Sequence, residues 1–137
     1  MDIKNIAEQL VKQSLKKGAD AAEVYIQSGR ELSIEVRNGD IETVQEASTA
    51  GAGIRVFVKG RMAFASSNDM REASLEEAVA RAIGFAKITT ADEFNVLPDD
   101  VSAIEVPDLY DPEIAQVPLE RKIELAKAVE GLALKVP

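Results

Sequence analysis

Apolar residues recur along the chain with two different periods. Spacings of three and four predict a first helix that begins near Ile3 and ends at Lys16-Lys17-Gly18, where cationic residues and a glycine stop it. The same period returns over residues 75–86 and 118–133. Between the first two helices, apolar and polar residues alternate from residue 23 to residue 64, which predicts short strands.

Turn signals divide the strand region. Asn38-Gly39 is a preferred pair for a two-residue hairpin turn, because both positions need positive φ, and Lys59-Gly60 joins a second strand pair. Ser28-Gly29-Arg30 predicts a further turn, and Gly51-Ala52-Gly53 interrupts the alternation. We therefore expect an α/β fold of the α+β type, with a mainly antiparallel sheet of about five strands built from hairpins. Amphipathic helices would pack on it as a second layer.

Two strand segments are irregular. Ile41 and Val44 differ in parity, so the strand after Asn38-Gly39 is expected near an edge of the sheet. Gly51-Ala52-Gly53 can be interpreted as a phosphate-binding turn, or as a bulge or a close backbone contact. The remaining features of a dinucleotide-binding fingerprint are missing around these glycines, which favours the bulge or close contact.

The second half of the chain separates into a helix, a connector and a helix. Ser74 and Glu77 match a capping box, and Pro118 suits the first turn of the last helix. We predict an α/β core domain over residues 1–87, an extended proline-containing connector over 88–117, and a helix over 118–137. Apolar residues continue almost to Pro137, so this helix is expected to lead toward a C-terminal domain absent from this chain.

Composition supports a core of aliphatic residues. The chain has 137 residues, of which 46% are hydrophobic and only 4% aromatic. That length suits one domain with a real core. The few aromatic side chains are expected to pack in it; they are Tyr25, Phe57, Phe64, Phe85, Phe94 and Tyr110.

The residues offer little catalytic chemistry. Without cysteine or histidine, the chain lacks thiolate nucleophiles, sulfur ligands, imidazole ligands and the usual neutral-pH base. A serine nucleophile would need a lysine base, and no suitable Ser-x-x-Lys spacing precedes a helix. Carboxylates could hold a hard cation or act in acid–base chemistry, but solvated surface is favoured for them; they include Glu42, Glu46, Asp69, Asp92, Asp99 and Asp100. We expect no catalytic residue and no metal site in this chain.

Charge and hydropathy argue against two classes of partner. A net charge of −8 repels phosphate backbones and anionic lipid, so neither nucleic acid nor membrane is expected as a partner. No apolar run has the roughly 18 to 20 residues needed to cross a bilayer. The absence of cysteine and of a basic, apolar leader at the start predicts a cytoplasmic location.

A succession of short motifs resembles one known family. They follow one another in matching order and spacing: Ala21-Ala22-Glu23-Val24-Tyr25, Val36-Arg37-Asn38-Gly39-Asp40-Ile41-Glu42, Gly51-Ala52-Gly53-Ile54-Arg55-Val56, Gly60-Arg61-Met62-Ala63-Phe64-Ala65-Ser66-Ser67-Asn68-Asp69, Leu75-Glu76-Glu77-Ala78-Val79 and Leu109-Tyr110-Asp111-Pro112. Together they resemble the N-terminal domain of the TldD/PmbA family, whose members are also called modulators of DNA gyrase. The resemblance covers nearly the whole chain.

The resemblance implies a role in proteolysis. In that family a TldD-type subunit pairs with a PmbA (TldE)-type subunit and cleaves unfolded or small peptides. Zinc is held in the C-terminal domain of TldD-type members through a His-Glu-x-x-x-His helix, which this chain lacks. Residues 65–69 and 89–93 are slightly more similar to the PmbA type.

From this resemblance we expect a non-catalytic scaffold domain. It would lie at the interface of a homo- or heterodimer and guide peptides toward the metal. The residues expected to face peptide or partner are Ser66, Ser67, Asn68 and Asp69, whose plainer interpretation is an ordinary approach to a helix. A pure association module without substrate contact is one alternative. Modulation of DNA gyrase is another, and the negative charge opposes it.

Overall fold

A computed structural model describes residues 2–99, 106–109 and 111–136. Within these residues the helices are α1 (Ile3–Lys16), α2 (Glu72–Ala86) and α3 (Leu119–Ala133), and a 3-10 turn lies at Ile114–Gln116. The strands are β1 (Ala21–Arg37), β2 (Asp40–Val58) and β3 (Arg61–Ser67). The predicted end of the first helix at Lys16-Lys17-Gly18 is confirmed.

The sheet has three strands in the order β1-β2-β3 within the described residues. β3 runs antiparallel to β2, with Ala52 opposite Ser67 and Val58 opposite Arg61. Because this pairing involves only residues 52–58 of β2, residues 40–46 lie at an edge of the described sheet, as their irregular pattern indicated.

The prediction of about five strands is wrong, because two expected breaks are absent. β1 continues through Ser28-Gly29-Arg30, and β2 continues through Gly51-Ala52-Gly53. None of these glycines takes a positive φ, so each stays in the extended backbone that a strand requires. Pairs of predicted short strands thereby merge into the long strands β1 and β2.

Both predicted two-residue turns are confirmed. Asn38 and Gly39 have φ of 55° and 83°, and they join β1 to β2. Lys59 and Gly60 have φ of 50° and 72°, and they join β2 to β3. Two successive residues with positive φ give the turn that matches the twist of paired strands.

Contacts divide the chain into two compact units. Unit 1 comprises Met1–Gly29 and Ser48–Val101, and unit 2 comprises Arg30–Ala47 and Ser102–Pro137. The β1–β2 hairpin therefore contributes residues to both. The predicted division into residues 1–87, 88–117 and 118–137 stays a prediction, and Asp100, residues 101–105 and Tyr110 lie outside the described residues.

The core of unit 1 lies between α2 and the sheet. All the residues of the predicted α2 stripe are buried; they are Leu75, Ala78, Val79, Ala82, Ile83 and Ala86. Ile54 and Val56 of β2 are completely buried, and Ala63 and Ala65 lie opposite them on β3. Small residues on α2 and β3 allow the helix to approach the strand closely, so unit 1 has the expected two layers.

The expectation that aromatic residues fill the core is largely wrong. Phe57 is buried, but Tyr25, Phe64, Phe85 and Phe94 are 49–81% exposed. The aliphatic and alanine side chains already occupy the space between α2 and the sheet. Tyr25 and Phe64 therefore lie on the opposite, outer face of the sheet, where helices α1 and α2 do not cover them.

Unit 2 brings α3 to the tip of the β1–β2 hairpin. The backbone amides of Asn38 and Gly39 donate to the two carboxylate oxygens of Glu130, each at 2.8 Å. Arg30 and Glu46 form an ion pair across the hairpin. No residue of α3 is buried, and these two hydrogen bonds attach Glu130 of the helix to the hairpin turn.

Candidate functional site

The polar loop predicted to face a ligand, residues 66–69, connects β3 to α2. Ser66 and Ser67 end the strand, and Asn68 and Asp69 lead to the first turn of the helix. Ser66, Ser67 and Asn68 line an open groove on the outer face of the sheet. All four residues also line a second, polar depression beside α2. The structure therefore brings the predicted residues together between two concave surfaces.

Asp69 organises the start of α2. Its carboxylate accepts hydrogen bonds from the backbone amide of Arg71 at 3.0 Å, from the Arg71 guanidinium at 2.5–3.0 Å, and from the Ser74 hydroxyl at 2.7 Å. The Arg71 guanidinium, then the Ser74 hydroxyl, hold the pKa of Asp69 well below its usual range. Asp69 is therefore ionised near neutral pH and is a weak base.

The predicted capping box is wrong. α2 begins at Glu72, two residues before Ser74, and its N-cap residue Arg71 makes no side-chain capping bond. Ser74 donates to the Asp69 carboxylate, because a hydrogen bond to a charged acceptor is stronger than one to a neutral group. A loop carboxylate thus replaces the Ser74–Glu77 pair at this helix start.

The hydroxyl group of Ser67 in the polar loop is used in local structure. Ser67 Oγ donates to the backbone oxygen of Asp69 at 3.0 Å and accepts from the Asp69 amide at 3.1 Å. The carboxylate next to Ser74 is too weak a base to activate a serine hydroxyl. These contacts stabilise the loop conformation, and they give no nucleophile–base pair among the described residues of the loop.

The groove on the outer face, here called the outer groove, has a volume of about 420 Å³ and is widely open. Its floor is formed by Gly51, Ala52 and Gly53 of β2. Tyr25 and Gln27 of β1 line one side, and the polar loop lines the other. All its described lining residues belong to unit 1, and all of them are uncharged.

An aromatic ring covers one of the floor glycines. A Cβ atom placed on Gly53 would lie 2.9 Å from Cε2 and Cζ of Phe64, which is closer than a real contact. Gly53 thus makes room for the Phe64 ring to lie across the sheet. Arg55, which lies opposite Phe64 in the strand register, forms an ion pair with Glu23 at 2.5 Å.

Charged and polar side chains in the polar depression beside α2 already bond to one another. Arg81 pairs with Glu77 at 3.4 Å and donates to the backbone oxygen of Ser66 at 3.4 Å. Ser74 and Asp69 are bonded to each other. Since several of the polar groups in this depression bond to one another, the outer groove offers the more available surface.

Sequence reasoning missed the groove itself. The aromatic content predicts Tyr25 in the core, although Tyr25 shares strand parity with Glu23 and Gln27 rather than with the apolar Val24 and Ile26. That parity was the signal that could have placed it on the polar face. At Gly51-Ala52-Gly53 the strand continues, and the close contact at Gly53 comes from the Phe64 side chain rather than from another backbone segment, as the bulge or close backbone contact would require.

The described residues do not suit the zinc implied by the family resemblance. No group of three or more carboxylate, imidazole or thiolate side chains is positioned among them to hold a metal ion. The sequence has no cysteine or histidine, the ligands that zinc prefers. The described residues therefore do not fit a zinc site of that kind.

The described part of the chain contains the α-helices α1, α2 and α3. None of them combines the length and apolar character that a membrane span requires.

Comparison with known proteins identifies relatives of this fold. Residues 22–86 match the family model described as PmbA/TldA metallopeptidase domain 1. The chain is 32% identical to a Haemophilus influenzae protein named metalloprotease PmbA homolog, over 91% of this chain and 28% of that protein. It is 30% identical to the metalloprotease PmbA of Escherichia coli O157:H7, over 96% of this chain and 30% of that protein.

A solved structure is similar over nearly the full chain. It is from Bacteroides thetaiotaomicron and is named as a candidate modulator of DNA gyrase. Its TM-score is 0.82 at 31% identity, and the match covers 98% of this chain and 31% of that one. The chain thus spans less than a third of the length of each of these relatives.

Proposed function

Because this chain carries the N-terminal domain of the TldD/PmbA metallopeptidase family, we propose that it is a non-catalytic scaffold that guides peptides and contributes to a subunit interface. The observation that supports peptide guiding is the outer groove, which runs beside the polar loop on an open sheet face. Peptidase chemistry would then belong to other parts of a full-length protein or to its partner.

The distribution of chemical groups supports this assignment. The hydroxyls of Ser67 and Ser74 are engaged in local hydrogen bonds, and Asp69 is a weak base. An open groove with a glycine floor can hold an extended segment without acting on it. We propose that zinc, in a TldD-type relative, acts from a separate domain.

The remaining features of the proposal follow from the family. The domain would comprise residues 1–87, the connector 88–117, and the following helix 118–137 would lead to a C-terminal domain. Both curated relatives are named PmbA, which favours a PmbA-type subunit that pairs with a TldD-type or PmbA-type partner. We propose a cytoplasmic protein that takes unfolded or small peptides, and no nucleic acid or membrane.

One observation favours a second candidate, a pure association module. Leu125, Val129 and Leu132 of α3 are 60–65% exposed and follow one another at spacings of four and three. Such a stripe is typical of a helix face that packs against another protein surface. In this alternative the outer groove has no ligand.

The experiment that separates the two candidates is a titration of the chain with fluorescent unfolded casein peptides and, separately, with a purified TldD-type subunit. Saturable peptide binding supports the guiding role. Binding to the subunit with no peptide binding supports the association module. Binding to neither would contradict both.

Modulation of DNA gyrase remains a third candidate because one relative carries that name. The net charge of −8 opposes direct contact with DNA. Salt-dependent binding of this chain to duplex DNA would favour it, and lack of binding at about 50 mM salt would remove direct DNA contact as its mechanism.

A further inference from the structure

We propose that the outer groove selects an extended peptide segment without acidic side chains and holds one large apolar side chain of that segment against Tyr25. This inference rests on the proposed function, because it names the class of peptide that the groove would guide. It goes beyond the family assignment, since it concerns the side chains of this groove.

Charge is the first argument. The chain is 29% charged, yet all the described residues that line the groove are uncharged. The two cations near these residues, Arg55 and Arg81, each already have a carboxylate partner, Glu23 at 2.5 Å and Glu77 at 3.4 Å, which balances their charge. An acidic side chain in the groove would meet no lining cation, in a protein whose net charge already repels it.

The floor of the groove is the second argument. Gly51 has no side chain, and the space where the Cβ of Gly53 would lie is taken by the Phe64 ring. A peptide backbone can therefore come close to β2 at Gly51, whereas Phe64 limits the groove at the other end. This shape fits an extended chain better than a globular surface.

The third argument concerns the groups that would contact the peptide. Tyr25 is 69% exposed and offers a rigid ring against which an apolar side chain can pack. Gln27, Thr49 and Asn68 carry hydroxyl or amide groups that both donate and accept hydrogen bonds. Such groups suit a peptide backbone of any sequence, and Tyr25 adds the preference for an apolar side chain.

The test uses fluorescein-labelled nonapeptides with blocked termini that differ only at the central position, which is phenylalanine or aspartate in an alanine–serine background. Fluorescence anisotropy with the 137-residue chain at about 0.15 M salt measures their dissociation constants. The phenylalanine peptide is expected to bind at least about fivefold more tightly than the aspartate peptide.

Two variants locate the effect in the groove. Tyr25→Ala is expected to raise the dissociation constant of the phenylalanine peptide at least about fivefold, because aromatic anchors dominate such contacts. Phe85→Ala is the matched control, since Phe85 is a 49% exposed ring on α2 outside the groove, and it should change binding less than twofold. Circular dichroism verifies that both variants are folded.

A charge substitution provides the complementary test. Gln27→Lys places a cation in the groove. It is expected to lower the dissociation constant of the aspartate peptide about three- to fivefold. Gln9→Lys makes the same change in net charge at an exposed position of α1, and it should have little effect.

The outcomes distinguish this inference from the proposed function. If neither peptide binds the unaltered chain, the guiding role and this inference both fail. If both peptides bind equally, if Tyr25→Ala has no effect, or if Gln9→Lys acts as strongly as Gln27→Lys, this inference is overturned while the guiding role stands.

Discussion

Ile54 is the position at which core packing can be measured most directly. Its side chain is completely buried on β2, opposite Ala65 and within the cluster that contains the α2 stripe. Ile54→Ala removes three carbons, which at about 0.8 kcal/mol each corresponds to about 2.4 kcal/mol of lost transfer free energy. The cavity left between tightly packed neighbours adds to this, so the expected loss of unfolding free energy is about 3–4 kcal/mol.

The same strand provides a matched control. Ile41→Ala removes the same three carbons from a side chain that is 46% exposed, and no closed cavity results. About half of the transfer term applies, so the expected loss is about 1 kcal/mol. Ile54→Val, which removes one carbon, should cost about 0.5–1.5 kcal/mol.

Urea unfolding followed by circular dichroism at the helix band measures all these variants, because the chain has no tryptophan. The expected order of destabilisation is Ile54→Ala, then Ile54→Val and Ile41→Ala. A loss below about 1 kcal/mol for Ile54→Ala, or a loss for Ile41→Ala as large as that for Ile54→Ala, would refute the packing argument.

Three further predictions concern the turns and helix ends. Gly39→Ala forces a side chain onto a φ of 83° and should lower the unfolding free energy by about 1 kcal/mol in urea, whereas Gly84→Ala, inside α2 with open space at its Cβ, should raise it by about 0.5–1 kcal/mol. A loss of unfolding free energy for Gly84→Ala as large as that for Gly39→Ala would contradict this. Glu130→Gln should speed hydrogen exchange at the amides of Asn38 and Gly39, and Glu124→Gln on the same helix should not. Because the pKa of Asp69 is lowered in the folded state, the stability it contributes is present above its unfolded pKa of about 3.9 and is lost as pH falls toward the folded value. Asp69→Asn should therefore lower the urea midpoint by a similar amount at about pH 6 and pH 5, and the difference from the unaltered chain should shrink as pH falls below about 4. A difference at about pH 2.5 as large as that at about pH 6 would be the contrary result.

Local features of the fold could be predicted because they depend on residues close together in sequence. The α2 stripe, the end of α1 and the turns at Asn38-Gly39 and Lys59-Gly60 follow from period, capping and backbone conformation, and the structure confirms each of them. The location of the polar loop between β3 and α2 belongs to this group. Its predicted contact with peptide or partner remains a prediction.

Other features could not be predicted, because they depend on residues that meet only in the folded chain. Glycine interrupts a strand only when its neighbours let the chain turn, and pairing along the long β1–β2 hairpin keeps Gly29 and Gly51 extended. The hydrogen bond from Ser74 to the Asp69 carboxylate likewise replaces the predicted capping box. The reason is that a charged acceptor forms the stronger hydrogen bond.

Sequence alone thus determined the helices, the two tight turns, the lack of imidazole and thiol chemistry, and the resemblance to one family. Only the tertiary structure decided which face of the sheet is covered. Once the α2 stripe, Ile54 and Val56 filled one side, Tyr25 and Phe64 were left on the other, where with Gly51 and Gly53 they form or flank the outer groove. The physical reason is that strand parity divides side chains between two faces, but packing volume determines which face becomes the core.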